Sequence, residues 1–308
     1  MEGSRPFDSE LDFDHPRRNR PEAPPPLAGE RTSRRGRKRP PRRNRSETIA
    51  RVAWAIPWIA IVITITIVGG ELFAAAMIAF ACIGLRELFR MTRNARPFEL
   101  VGFAAAAGVC IAALYGTHFQ IVIALVATML AMFAAAVARP DRDGITISLA
   151  VTALGVAWIA VPFAHAVLLR ELPEHGAALL VDVLVATFVA DTAAYAGGRM
   201  FGRHRLAPTL SPNKTLEGLA FGFVAGTAGF WFAGLYQDWL PGIDALLMGM
   251  CVAVLAPAGD LFESMIKRDL QVKDSGTVFG PHGGLLDRLD AVMFTVVVGY
   301  YLSVALVY

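Results

Sequence analysis

Charge is scarce in this 308-residue chain and unevenly placed. Asp, Glu, Lys and Arg make up 18% of the residues, and roughly half of all Lys and Arg lie before residue 52. The rest is dominated by apolar residues, 55% of the whole, with a mean hydropathy of +0.49. That balance excludes an ordinary water-soluble domain and indicates a chain that crosses a membrane several times. Cysteine is nearly absent as well. Cys82, Cys110 and Cys251 are scattered through apolar runs, which excludes a disulfide framework and a thiolate metal site and leaves them as small packing or lipid-facing residues. The N-terminal basic block, RTSRRGRKRPPRRNR at 31–45, lacks interleaved aromatics and a folded partner, so nucleic-acid binding is not expected. No small-residue cleavage site follows the first apolar run, and the basic region is too long for a cleavable signal peptide.

Residues 1–48 show no apolar periodicity, and their Pro, Arg, Ser and Glu content cannot bury enough surface to offset the entropy of folding. A disordered cytoplasmic tail is expected there, its Arg and Lys drawn to anionic lipid headgroups by about 1 kcal/mol each. From Ile49 onward the chain reads as apolar runs near the ~20 residues that cross ~30 Å of hydrocarbon as a helix. The predicted spans are roughly 50–69, 71–89, 98–116, 119–138, 147–168, 177–198, 217–236, 243–264 and 286–306. The expected fold is therefore all-α, a polytopic membrane protein of about nine transmembrane helices. With the tail cytoplasmic, every basic residue of the later loops except Arg170 falls on the cytoplasmic side, as the positive-inside rule requires, and the C-terminus lies outside. Residues 49–170 are expected to serve packing and dimer contacts. Residues 171–308 are expected to carry the chemistry, on cytoplasmic loops 199–216 and 265–285.

The first five spans offer little chemistry. Arg86 and Glu87 sit at a cytoplasmic helix end, where snorkelling accounts for both. His118 and His165, near the outer face, read as packing or interfacial residues. The sixth span differs, because Asp191 and Tyr195, at i and i+4, share a helix face. Asp182, nearer the outer end, suits a hydrogen-bonded structural role as well as a functional one. The next loop concentrates Arg199, Arg203, His204, Arg205 and Lys214 beside Ser211, Thr215 and Glu217. It reads either as a positive-inside loop leading to a helix capped by Thr215, or as a phosphate site at a helix N-terminus.

The eighth span places Asp260, Glu263, Ser264 and Lys267 on one stripe at i, i+3, i+4 and i+7. Such a stripe in a membrane faces a polar cavity. Lys273, Asp274, Ser275 and Gly276 then suggest a turn, the PHGG sequence at 281–284 allows close backbone approach to a ligand, and Asp287 and Asp290 open the ninth helix. Asp260 and Asp287 could together hold a hard cation such as Mg²⁺ through oxygen. Alternatively, the acids pair with Lys267, Arg268 and Arg288.

At these residues the chain resembles the phosphatidate cytidylyltransferase family, the CDP-diacylglycerol synthases. The family pattern is matched by Ser264, Lys267, Arg268, Lys273, Asp274, His282, Gly283, Gly284, Asp287, Arg288 and Asp290. Two further segments also fit, Ser211–Gly218 and Asp191–Tyr195. Gly280-Pro281, Ala193 and Ala291 depart from the commoner pattern without removing a charged group. The specific resemblance covers about the last 120 residues.

What the resemblance implies is transfer of a cytidylyl group from CTP to phosphatidic acid, giving CDP-diacylglycerol and pyrophosphate, by a homodimer of the inner membrane with its site facing the cytoplasm. Asp260 and Asp287 would be metal ligands for Mg²⁺, a second cation being left open. Lys267, Arg268, Asp287, Arg288 and His282 would be catalytic. Asp191, Tyr195, Ser211, Lys214, Thr215, Glu217, Ser264, Lys273, Asp274, Gly283, Gly284 and Asp290 would bind substrate. His282 with the two glycines would shape the phosphate loop. The rival readings are a cytidylyltransferase for another lipid phosphate and an ion or solute transporter. A transporter would spread its charges toward the midplane and both faces, whereas here they gather at the cytoplasmic edge. A CDP-alcohol phosphotransferase is disfavoured because its Asp-Gly-x-x-Ala-Arg pattern is absent.

Overall fold

The computed structural model describes residues 61–276, 278 and 283–308. The expectations for the basic tail, for residues 49–60 and for His282 therefore fall outside the described residues. Residues 61–68 are helical (α1). They are followed by α2 (Gly70–Met91), α3 (Glu99–Tyr115), α4 (His118–Ala138), α5 (Ile145–Arg170), α6 (Gly176–Phe201), α7 (Leu216–Gly234), α8 (Gly242–Asp269) and α9 (Leu286–Leu306). Seven of these, α2 and α4 to α9, are long and apolar enough to cross a membrane, and α3 is a shorter apolar helix of 17 residues. Their bounds follow the apolar runs because a helix satisfies its backbone within itself, which hydrocarbon surroundings demand. Large apolar side chains point outward, among them Phe119, Val126, Met129 and Phe133 of α4.

The centre is built from α2, α5 and α9, where Leu85, Leu88, Phe89, Ile159, Leu169 and Leu286 are buried together. A π-helical stretch, Val156–Ala160, interrupts α5. The tightest helix pair is α6 with α7, and small residues make it so. A Cβ on Gly222 would lie 2.9 Å from both the Ala190 carbonyl and the Ala194 methyl, and one on Gly226 would lie 2.8 Å from the Ala190 methyl. Glycine spaced every four residues along α7 thus lets two backbones meet, the usual device for joining helices that gain nothing from hydrophobic exclusion. A buried hydroxyl pair, Thr187 to Thr295 at 2.9 Å, joins α6 to α9.

Two features depart from the predicted loops 199–216 and 265–285. The loop after α6 contains an antiparallel ribbon, β1 (Arg205–Ala207) with β2 (Ser211–Thr215), registered Arg205 to Thr215 and Ala207 to Ser211. The apolar pattern is blind to so short and exposed a ribbon. Second, α8 runs on through Asp269, so Lys267, Arg268 and Asp269 form its last turn and Arg268 and Asp269 do not begin the loop.

At the opposite end, Arg170 closes the end of α1 by donating from Nε to the Thr66 carbonyl and from Nη2 to the Ile67 carbonyl, the latter at 3.0 Å. His118 and His165 are packing residues, as expected: His118 Nε2 sits 2.9 Å from the Tyr300 hydroxyl and His165 Nδ1 sits 2.8 Å from the Val161 carbonyl. Asp182 takes the structural role, its buried carboxylate accepting from Gln237 Nε2 at 2.7 Å. All three cysteines are free, Cys110 buried and Cys251 exposed.

Candidate active site

A cavity of about 570 Å³ opens among α6, the ribbon, α7 and α8. Asp191, Tyr195 and Arg199 enter it from α6, Asn213, Lys214 and Thr215 from β2 and the start of α7, and Asp260 from α8. The i, i+4 reading of α6 holds: Asp191 and Tyr195 share the cavity wall, and Arg199, one turn on, donates from Nη1 to the Tyr195 hydroxyl at 3.2 Å. Tyr195 is 65% exposed, so its ring is available at the cavity mouth.

The ribbon places Lys214. Thr215 caps α7, its hydroxyl accepting from the Gly218 N–H at 3.1 Å, and this agrees with the expected cap. Glu217, in the first turn, accepts from the Arg203 and His204 N–H groups at 3.0 and 3.2 Å and meets His204 Nδ1 at 2.7 Å. Its carboxylate therefore fastens the base of the ribbon and does not line the cavity. Arg268 Nε donates to the Leu210 carbonyl at 3.2 Å, holding the ribbon's turn against the end of α8. With both ends fastened, Lys214 Nζ reaches Asp260 Oδ2 at 2.6 Å, and Ser264 donates to Asp260 Oδ1 at 3.3 Å. The ribbon and α8, 46 residues apart between Lys214 and Asp260, are thus two walls of one cavity.

The polar stripe of α8 divides between two directions. Asp260 faces the cavity, whereas Glu263, only 1% exposed, bonds Lys267 Nζ at 2.7 Å. Lys267 also bonds Asp287 Oδ1 at 2.7 Å. Of the alternative to metal binding, pairing of the acids with Lys267, Arg268 and Arg288, the Lys267 part is present, and Lys214 pairs Asp260. The other oxygen of Asp287 accepts the Ser275 N–H at 2.9 Å and the Gly284 N–H at 2.8 Å, and lies 3.0 Å from the Ser275 hydroxyl oxygen. Asp290 lies within electrostatic reach of Asp260, Glu263 and Asp191. Its backbone crosses α8 so closely that a Cβ on Gly259 would collide with the Asp290 carbonyl. Asp191, Asp260, Glu263, Asp287 and Asp290 set five carboxylates beside the two ammonium groups of Lys214 and Lys267.

Ser211 lies in the ribbon's pairing, Lys273 and Asp274 are exposed on the turn after α8, and Arg288 is exposed in the first turn of α9. The two glycines pack against Asp287. Gly283 has φ +88°, and a Cβ there would lie 2.7 Å from Asp287 Oδ2. The close approach that glycine permits is thus made to a carboxylate of the protein itself.

One residue was misread. Glu87 does not snorkel. It is 2% exposed, and its carboxylate accepts from the Ser275 hydroxyl at 3.0 Å and from the Leu285 and Leu286 N–H groups at 2.9 and 3.0 Å. Arg86, its neighbour, is exposed as expected. The sequence signal that could have separated them is that α2 puts Glu87 beside Leu85, Leu88 and Phe89 on its buried side.

Comparison with known proteins assigns the chain to a family. A family model described as the cytidylyltransferase family matches residues 49–306. The chain belongs to that family. Among curated relatives, this cytidylyltransferase-family chain is 37% identical over 166 residues to the phosphatidate cytidylyltransferase of Mycobacterium leprae, covering 54% of this chain and 53% of the relative. It is 36% identical over 166 residues to that of Thermotoga maritima, covering 52% and 62%. It is also 40% identical over 157 residues to Escherichia coli YnbB, named as an uncharacterized protein, covering 49% and 53%. The chain thus spans about half the length of the curated relatives it matches.

Proposed function

We propose that this cytidylyltransferase-family chain transfers a cytidylyl group from CTP to phosphatidic acid in the bilayer, releasing pyrophosphate. The observation that carries this reading is the Lys214–Asp260 contact, which brings the Ser211–Gly218 segment against α8, the helix on which the Ser264–Asp290 pattern begins, at one cavity. A phosphate oxygen of the lipid attacks the α-phosphorus of CTP, and the bond from that phosphorus to the bridging oxygen of the β-phosphate breaks. The attacking group is already an anion, so the protein's work is positioning and charge neutralisation and needs no strong base. Lys214, Lys267, Arg268 and Arg288 supply the cations. Tyr195 and Arg199 border the mouth where a polar substrate would enter.

The donor set suits Mg²⁺. Asp260 and Asp287 offer carboxylate oxygens in a region where acids outnumber ammonium groups. Mg²⁺ commonly takes one or two carboxylates and completes its shell with phosphates and water, so these two aspartates would be sufficient protein ligands. Bound there, Mg²⁺ would neutralise phosphate charge in the transition state. Asp260 and Asp287 would hold the ion, with Lys214 beside Asp260 as a cation for the substrate phosphates.

The full topology belongs to the same reading: nine spans, N-terminus and both polar loops in the cytoplasm, C-terminus outside, in the inner membrane. The positive-inside distribution supports it. The basic tail would rest on anionic lipids, and the protein would work as a homodimer. Purified protein in mixed micelles is expected to release pyrophosphate only when CTP, phosphatidic acid and Mg²⁺ are all present. ATP or GTP serving as well as CTP would overturn the cytidylyl assignment, and preference for an isoprenoid phosphate would redirect the acceptor.

A further inference from the structure

We infer that Glu87, on the second helix and far in sequence from either motif, is a positioning residue for the reaction, acting through Ser275 on Asp287. The inference rests on the function proposed above.

The chain of contacts is short. Glu87 Oε2 accepts the Ser275 hydroxyl at 3.0 Å, and that hydroxyl lies 3.0 Å from Asp287 Oδ2. Asp287 in turn bonds Lys267 at 2.7 Å. With its hydroxyl proton given to Glu87, Ser275 still donates its backbone N–H to Asp287 Oδ2, and Gly284 N–H donates to the same oxygen. Ser275 bonds Glu87, and Gly284 lies against it. A Cβ on Gly276 would lie 2.5 Å from Glu87 Oε1, and one on Gly284 would lie 2.5 Å from Oε2, so the glycines on either side of this turn are cut to fit the carboxylate.

Glu87 also does what α9 cannot do for itself. The N-cap of α9 is Leu285, with no side chain able to accept from the first turn. The Leu285 and Leu286 N–H groups, which a helix start leaves without internal partners, both point at Glu87. Asp287 is the next residue, so the same two bonds set the rotation of the helix turn that carries it. A cap alone would need only those two bonds, whereas the bridge through Ser275 ties the cap to the orientation of the Asp287 carboxylate.

Placing an acid here has a cost. Among the described residues no Lys, Arg or His forms an ion pair with Glu87, and a buried carboxylate is tolerated only when its hydrogen bonds are made. A neutral residue would fill the space among Leu85, Leu88 and Phe89 more cheaply, but it could not hold three donors belonging to the Asp287 turn.

The test compares Glu87→Gln, Glu87→Ala and Ser275→Ala with the parent protein in mixed micelles. Turnover is normalised to the monodisperse fraction, and the KM for CTP is measured alongside the melting midpoint. A misplacement of about 1 Å costs about 100-fold in rate, so Glu87→Ala is expected to lose about that much in kcat. Ser275→Ala should lose about tenfold in kcat with its melting midpoint and KM for CTP near those of the parent, because only the bridge is cut. Glu87→Gln keeps one carbonyl oxygen for the α9 N–H groups and should recover part of the loss. If Glu87→Ala does not fold, the Gln and Ser275 variants decide the matter. Parent-like kcat in both Ser275→Ala and Glu87→Gln would overturn the positioning role, as would losses that track the melting midpoint. A parent protein that releases no pyrophosphate from CTP and phosphatidic acid would instead overturn the function on which the inference rests.

Discussion

Lys214 Nζ lies 2.6 Å from Asp260 Oδ2, with both side chains about three-quarters shielded from solvent. The lysine arrives on a two-stranded ribbon fastened at its base by Glu217 and at its turn by Arg268. The aspartate stands on α8 near the edge of the cavity. The contact therefore reports the register of the ribbon against the helix, and it brings an ammonium group to the place where phosphate charge would gather.

Removing that ammonium group should cost catalysis more than folding. Lys214→Ala is expected to lower turnover by about 10²–10³-fold, the usual effect of deleting one preorganised charge partner of a transition state. Radiolabelled CTP and phosphatidic acid in micelles provide the assay. Lys214→Arg should restore little, because a planar fork does not reproduce a compact point charge.

Asp287→Asn separates the two oxygens of that carboxylate. If the amide oxygen keeps the Ser275 and Gly284 donors, the amide nitrogen must face Lys267, donor against donor. Insertion and folding are expected to survive, since Glu263 still pairs Lys267. Pyrophosphate release should fall about 100-fold or more. Near-parent turnover in a well-folded sample would refute the assignment of Asp287 to the reaction.

The α6–α7 contact predicts a loss of stability. Gly222→Val forces a side chain against the Ala190 carbonyl and the Ala194 methyl, and overpacking of this kind costs about 1–3 kcal/mol. A lowered melting midpoint in detergent would show it. Gly108→Ala is the matched control, because a Cβ there meets nothing within 4 Å, and its midpoint should not fall.

At the opposite end, Arg170→Ala leaves the Thr66 and Ile67 carbonyls without their donors. A lost partner for a shielded acceptor costs about 1–3 kcal/mol. Limited proteolysis should cut the α1–α2 junction at Gly69 and Gly70 faster in the variant, while turnover per folded molecule stays close to that of the parent.

Much of the site was legible in the residues themselves. The i, i+4 spacing put Asp191 and Tyr195 on one wall, Thr215 capped its helix, and the α8 stripe did carry Asp260, Glu263 and Lys267 toward polar partners. The direction of each side chain within that stripe was not legible. Asp260 turns to the ribbon and Glu263 turns inward because α8 is crossed on one side by α7 and on the other by α9, at Gly259. Glu87 was invisible for a related reason. Its partners lie 188 to 199 residues away, and a local window shows only an acid at a helix end.

The sequence by itself determined the helices, because a run of about twenty apolar residues in hydrocarbon has no other way to satisfy its backbone. It also determined the motif chemistry, because charges in such a chain are too costly to be incidental. Only the tertiary structure decided the pairings: Lys214 with Asp260, Lys267 with Asp287, and Glu87 with the turn that opens α9. Those depend on which helices are neighbours and how each is rotated. Both are set by packing small residues against backbones, as Gly222 does on Ala190 and Ala194, and by hydrogen bonds between segments that are distant along the chain.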